Sequence, residues 1–252
     1  MLFIKLFFLF LLLGGASDTV VNYCPSSCSC NTTVATCIST SLTEFPVGRF
    51  PRQLQKLFIS RNRITCLGAF TIRHWMILSL TELNLSNNAI NRIDGKSFNG
   101  QSGLEKLDLS GNEITTFPLE TFVYPPHLQW LSLANNSELQ VPENEPFLES
   151  DSLQVLHLEY CNIEKISVTN LEKLGKLEEL YLSHNKIKTL SAESRGGLSC
   201  LKNIRILDIS YNQIQKLPPE FVTLPKLERV YVRYNKLGSL CEVKNIDEFC
   251  ES

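Results

Sequence analysis

The sequence is short of what most enzymes and nucleic-acid binders need. It carries no motif for a nucleophile with its base, for a metal cluster or for a phosphate cradle. Histidines number four, His74, His127, His157 and His184, and the Gly196 and Gly197 pair lacks the lysine and helix context of a phosphate loop. Neither catalysis nor a cofactor is therefore expected. The 24 basic residues stand against 26 acidic ones and nowhere form a block, so the phosphate neutralisation that nucleic-acid binding rests on is missing. After Leu13, no run is apolar enough to span a bilayer.

The one long apolar run opens the chain. Lys5, apolar residues through Leu13 and the small residues Gly14, Gly15 and Ala16 fit a secretory signal over residues 1–16, cleaved after Ala16. An uncleaved anchor is the competing reading, against which stand the shortness of the run and its small-residue end. The expected mature chain is secreted, extracellular and free of a membrane span. Loss of Lys5 leaves 23 basic against 26 acidic residues, a net charge near −3.

What is abundant is leucine at fixed spacing. The pattern L-x-x-L-x-L-x-x-N-x-L recurs from Leu54, Leu80, Leu104, Leu128, Leu153, Leu177, Ile204 and Leu227, in steps of 23 to 27 residues. That period is the one expected of leucine-rich repeats. Within each copy, apolar residues at the fourth and sixth positions, such as Leu107 and Leu109, alternate with polar ones, as in a short strand with one buried face. The fold class expected is α/β: a leucine-rich repeat solenoid, or horseshoe, with a parallel β-sheet on its concave face and irregular or short helical convex segments.

After each strand comes an asparagine (Asn62, Asn88, Asn112, Asn136, Asn185, Asn212, Asn235) whose amide is placed to bond backbone groups of the neighbouring turn. Cys161 takes that place in the fifth repeat; a thiol is a weak donor, so a looser rung is expected there. A second apolar row, Phe70, Phe98, Phe122, Phe147 and Phe221, is expected to pack inside the convex side. One repeat cannot enclose its own apolar face, so neighbours supply the cover. The irregular stretches are the extra residue between Asn135 and Leu139 and the insert before Ile204, the latter expected to be a surface loop.

Nine cysteines behind a signal sequence read as disulfide material. Cys24, Cys28, Cys30 and Cys37 have the spacing C-x3-C-x-C-x6-C just before the first repeat, where a stack most needs a lid. Zinc is the rival reading of such a cluster, disfavoured by the lack of a nearby histidine and by the compartment. The segment CPSSCSCNTTVATC followed by LTEFP resembles the cysteine-rich cap of extracellular leucine-rich repeat proteins, in particular the small leucine-rich proteoglycans related to decorin and biglycan, and receptor ectodomains. The resemblance implies the pairings Cys24 with Cys30 and Cys28 with Cys37. The other end departs from the family pattern: Cys241 and Cys250 are expected to bridge as a reduced cap, with Cys200 a competitor for Cys241 and Cys161 the thiol expected to stay free. The domains are then a signal at 1–16, a cysteine-rich cap at 17–53, eight repeats over 54–240 and a short terminal cap at 241–252.

Eight strands about 4.8 Å apart make a concave floor on the order of 35 Å long, a size suited to a macromolecule. Its first half presents Lys56, Phe58, Arg61, Glu82, Asn84, Lys106 and Asp108. From the fourth repeat onward the character changes to Trp130, His157, Glu159, Tyr160, Tyr181, His184, Asp208, Tyr211, Tyr231, Arg233 and Tyr234, the candidate ligand-binding set, together with Glu179, Ile206 and Arg229. Tyr160, His184, Tyr211 and Tyr234 hold equivalent places and should form a column along one edge. Amphipathic aromatics of this kind are enriched where proteins bind proteins; the bland alternative is that the rings pack on one another. A metal held by His157, Glu159 and His184 is the remote reading of the same cluster.

Asn31, Asn84 and Asn135 lie in glycosylation sequons, and a glycan on Asn84 would cover the amino-terminal half of the floor. The expected partner is an extracellular protein or glycoprotein, with no nucleic acid and no metal. Two alternatives stay open: a matrix protein that coats collagen, and a truncated ectodomain of a cell-surface receptor.

Overall fold

The computed structural model describes residues 24–46, 49–72, 77, 79–191, 201–217 and 224–238. The signal segment, Phe221, the glycine pair of the insert, Cys200 and the proposed Cys241–Cys250 bridge lie outside the described residues.

Each repeat folds its leucine pattern into a three-residue strand whose middle residue is buried. The cap supplies β1 (Ser29–Cys30) and β2 (Val34–Thr36); the eight repeats supply β3 (Lys56–Phe58), β5 (Glu82–Asn84), β7 (Lys106–Asp108), β8 (Trp130–Ser132), β9 (Val155–His157), β11 (Glu179–Tyr181), β13 (Ile206–Asp208) and β14 (Arg229–Tyr231). These ten form one sheet in the order β1-β2-β3-β5-β7-β8-β9-β11-β13-β14. The sheet therefore exceeds the eight expected strands by two. The cap hairpin β1/β2 is antiparallel, and β2 then pairs in parallel with β3, so the lid is covalently closed and hydrogen-bonded onto the stack. The two bridges implied by the family resemblance, Cys24–Cys30 and Cys28–Cys37, are both present.

Register is uniform along the stack. Leu57, Leu83, Leu107, Leu131, Leu156, Leu180, Leu207 and Val230 lie opposite one another in successive strands, and all are buried. Each fully buried leucine contributes about 1.5–3 kcal/mol relative to exposure, and the burial comes from neighbouring turns.

The return segments are irregular with short helical turns, as the sequence suggests. Among the described residues they hold, besides two 3-10 turns, Leu119–Phe122 and Val168–Leu171, two short parallel pairs: β4 (Cys66–Leu67) with β6 (Arg92–Ile93), and β10 (Lys165–Ser167) with β12 (Thr189–Ser191). Phe98, Phe122 and Phe147 are buried as the sequence suggests, whereas Phe70 is half-buried at φ 59° and stands at the margin of the core. Phe117, unassigned from sequence, completes the aromatic spine, edge-on to Phe122 at 5.1 Å and to Phe147 at 5.2 Å.

The asparagine ladder seals the turns. Asn112 Nδ2 donates to the carbonyls of Leu85 (3.1 Å) and Leu109 (2.9 Å), while its Oδ1 accepts from the Ile90 amide (3.1 Å). Asn88, Asn136, Asn185, Asn212 and Asn235 repeat this double role. Asn62 turns it toward the cap, donating to Cys37 O at 2.7 Å and accepting from the Thr40 and Leu42 amides. Cys161 keeps the donor half, with Sγ 3.2 Å from Leu133 O, and burial pushes its thiol up to about 12. Among the described residues, no helix is long and apolar enough to cross a membrane.

Candidate functional site

Three parallel rows of side chains line the concave face, because strand register fixes them. The first strand positions run Lys56, Glu82, Lys106, Trp130, Val155, Glu179, Ile206, Arg229, and the third positions run Phe58, Asn84, Asp108, Ser132, His157, Tyr181, Asp208, Tyr231. Three residues further on, just before the ladder asparagine, the backbone turns left-handed in every repeat: Arg61 (φ 56°), Asn87 (53°), Gly111 (63°), Asn135 (57°), Tyr160 (56°), His184 (57°), Tyr211 (53°) and Tyr234 (55°).

This last row divides the molecule. Over repeats two to four it holds Asn87, Gly111 and Asn135, the residue types that tolerate left-handed backbone. From repeat five it holds three tyrosines and a histidine, for which the same conformation costs about 1–2 kcal/mol each. Their rings form one continuous stack: Tyr160 to His184 at 4.2 Å, His184 to Tyr211 at 4.1 Å, Tyr211 to Tyr234 at 4.3 Å, all within 19° of parallel. A stacked aromatic pair contributes about 0.5–1.5 kcal/mol beyond its burial, so stacking offsets part of the backbone cost. The edges still face solvent, Tyr160 being 49%, Tyr211 43% and Tyr234 67% exposed. Burial and the hydrogen-bonded Tyr234 raise the Tyr211 hydroxyl above the ordinary tyrosine value.

A second aromatic group lies deeper on the floor. His157 stacks flat on Tyr181 at 4.5 Å, and Trp130 reaches His157 diagonally at 5.1 Å. Tyr181 donates its hydroxyl to Glu179 Oε2 at 2.7 Å, and burial followed by that bond pushes its hydroxyl up to about 12. His157 Nδ1 lies 2.8 Å from Glu159 Oε1. Asp208, in register between Tyr181 and Tyr231, accepts from the Ser210 amide at 2.9 Å. Arg233 is exposed beside Tyr234, and Ile206 is buried in the floor. His157 and His184 belong to different stacks, so no imidazole pair brackets Glu159; among the described residues, no group of three or more His, Cys, Asp or Glu is placed to hold a metal.

The amino-terminal half is electrostatically closed on itself. Glu82 lies 3.0 Å from Lys56 and 3.7 Å from Lys106, and Lys106 Nζ sits 4.6 Å from the Trp130 ring centroid. Asn84 is half-buried and bonded: its Nδ2 donates to Asp108 at 3.0 Å and its Oδ1 accepts from the amide and hydroxyl of Ser86. The Asn84 sequon is thus part of the floor's own bonding. Asn31 and Asn135 are exposed. Asn31 Oδ1 caps the turn into β2 by accepting from the Thr33 and Val34 amides.

Sequence comparison gives this arrangement its setting. The leucine rich repeat model matches residues 79–137 and 151–206, and a two-copy leucine rich repeat model matches 202–245. Chaoptin of Drosophila melanogaster is 30% identical over 188 residues, 74% of this chain but 14% of chaoptin, so the chain spans a small part of that relative's length. Human lumican is 31% identical over 178 residues, 70% of this chain and 48% of lumican; rabbit (Oryctolagus cuniculus) lumican is 34% identical over 152 residues, 60% of this chain and 74% of that sequence. The crystal structure of human trophoblast glycoprotein superimposes with a TM-score of 0.67 at 23% identity, covering 87% of this chain and 82% of that one, a likeness of fold. With its repeat register, capped sheet and these matches together, the chain belongs to the leucine-rich repeat family.

Proposed function

We propose that this protein is a secreted recognition module that binds an extracellular protein or glycoprotein with the concave face of repeats four to eight, by shape and burial and without chemistry. The single observation that carries the reading is the four-ring stack at left-handed positions. Large rings stand there against the preference of the backbone and remain exposed at their edges. Nothing in the stability of the fold requires them, since Asn87, Gly111 and Asn135 make the same turn earlier in the stack. Tyrosine edges of this kind combine buried area with a hydrogen-bonding tip, the usual chemistry of an interface centre. The disulfide-closed cap suits an oxidising compartment and supports secretion.

The test is capture of the partner from the source's extracellular fluid by wild type and by a Tyr160→Gly, Tyr211→Gly, Tyr234→Gly variant. Glycine suits the backbone there, so the variant should unfold at nearly the wild-type temperature and lose capture. Equal capture by both would move the site elsewhere. Similarity to lumican over the repeats supports the matrix reading as the second possibility, and cosedimentation of the purified protein with fibrillar collagen would distinguish it.

A further inference from the structure

Between the two aromatic rows runs a line of small residues with two exceptions, Glu159 and Arg233. The position two past each strand is Ser60, Ser86, Ser110, Ala134, Glu159, Ser183, Ser210 and Arg233 in successive repeats. Glu159 is the acidic member of that line, with Ala134 before it and Ser183 after it. Its Oε1 meets His157 at 2.8 Å, whereas its Oε2 is shielded from water and has no hydrogen-bond partner among the described residues. The other carboxylates of the face are engaged. Glu82 lies between two lysines, Asp108 holds Asn84 and Ser110, Glu179 accepts from Tyr181, and Asp208 accepts from the Ser210 amide.

The ring next to Glu159 is also incomplete. Tyr160 begins the stack: His184 covers one face, and the preceding member of its row, Asn135, carries no ring. A flat cation seated on that uncovered face would continue the ladder by one rung and lie beside the Glu159 carboxylate. A cation over a ring face already occurs on this floor, where the Lys106 ammonium sits 4.6 Å from the Trp130 centroid, though without the planar stacking that a flat group would add.

Resting on the recognition role proposed above, we infer that the partner is a protein that inserts an arginine side chain against Glu159 and the open face of Tyr160. Guanidinium is the fitting group, because it is planar, stacks on aromatic faces and bonds carboxylates with a fixed fork. A fifth of the Glu159 side chain is exposed, and the soft terminal torsion of a glutamate lets the carboxylate turn its unpaired oxygen toward the incoming donor. Lysine fits the charge but not the stack. Citrulline fits the shape but not the charge.

The experiment uses the whole chain on surfaces densely displaying Gly-Ser peptides with one central residue: arginine, citrulline, lysine or norleucine. Retention on arginine should exceed citrulline by about tenfold or more, with lysine between them, and the gap should narrow as salt is raised. Glu159→Gln should bring arginine down to the citrulline level with thermal unfolding unchanged, and Tyr160→Gly should bring arginine down to the lysine level. Equal retention of arginine and citrulline, no retention on any surface, or a Glu159→Gln protein that keeps the preference would each overturn the inference. Those results would leave the recognition role standing if the tyrosine-to-glycine variant still loses the natural partner; that role itself fails if the variant captures the partner normally.

Discussion

The amide of Leu139 donates to the Asn136 carbonyl at 3.1 Å, and the residue that would otherwise receive it in the next turn is Cys161. In the regular rungs the equivalent amide, that of Ile64, Ile90, Ile114, Ile163, Ile187 or Ile214, reaches forward to the next ladder asparagine. The extra residue between Asn136 and Leu139 turns this amide back on its own loop. A side-chain acceptor at position 161 then lacks the Leu139 amide and is left with the Asn136 and Asn135 amides that already face the Cys161 sulfur, so a thiol suffices. The irregular loop and the substituted rung are one adaptation.

Restoring asparagine at position 161 should therefore not help. Cys161→Asn enlarges a fully buried side chain and restores an acceptor whose regular donor, the Leu139 amide, is already engaged, and a loss of about 1–2 kcal/mol is expected in denaturant unfolding. Deleting Ser137 as well should return the loop to regular length and recover most of that loss, a coupling that a double-mutant cycle would register. Additive losses would show the two features to be independent.

Thiol chemistry should separate the two free cysteines among the described residues. Cys66 is exposed, whereas Cys161 is buried with its thiol pushed up to about 12, so little reactive thiolate forms at neutral pH. Alkylation of the native protein followed by peptide mapping should label Cys66 within minutes and Cys161 only after denaturant is added. Labelling of both at one rate would contradict the buried rung.

Tyrosine ionisation provides a test of the floor. The folded state holds the Tyr181 proton more tightly than the unfolded chain, whose tyrosines titrate near 10. The associated stability is intact below about pH 10 and is lost as pH rises through about 12. In an ultraviolet titration, Tyr181→Phe should remove the high-pH end of the tyrosine curve. If it removes amplitude near pH 10 instead, the bond to Glu179 and the burial that precede it are absent.

Periodicity made the solenoid legible. One leucine pattern fixes strand, register and the identity of the floor residues, and the column of Tyr160, His184, Tyr211 and Tyr234 follows from counting back one place from the asparagines. The left-handed backbone under that column was also signalled, by Asn87, Gly111 and Asn135 in the same row, but only the geometry shows that the tyrosines share it. Other features were not legible because they depend on shape across repeats. The diagonal reach of Trp130 to His157, the joining of Phe117 to the spine and the unpaired oxygen of Glu159 arise from side-chain directions that spacing does not specify. Tyr181 and Tyr231 stand beside the column in the candidate set read from the sequence, yet both are half-buried, and the Tyr181 hydroxyl is already bonded to Glu179.

The central claim is that the partner lies along the ladder of the carboxy-terminal repeats. Photo-crosslinking tests it most directly, with a photoreactive phenylalanine placed at position 234, at position 61 of the same row in the first repeat, or at Glu143 in the return segment. Crosslinking from position 234 and from neither of the others is the expected result; a partner crosslinked from position 61 or 143 but not from 234 would contradict the account.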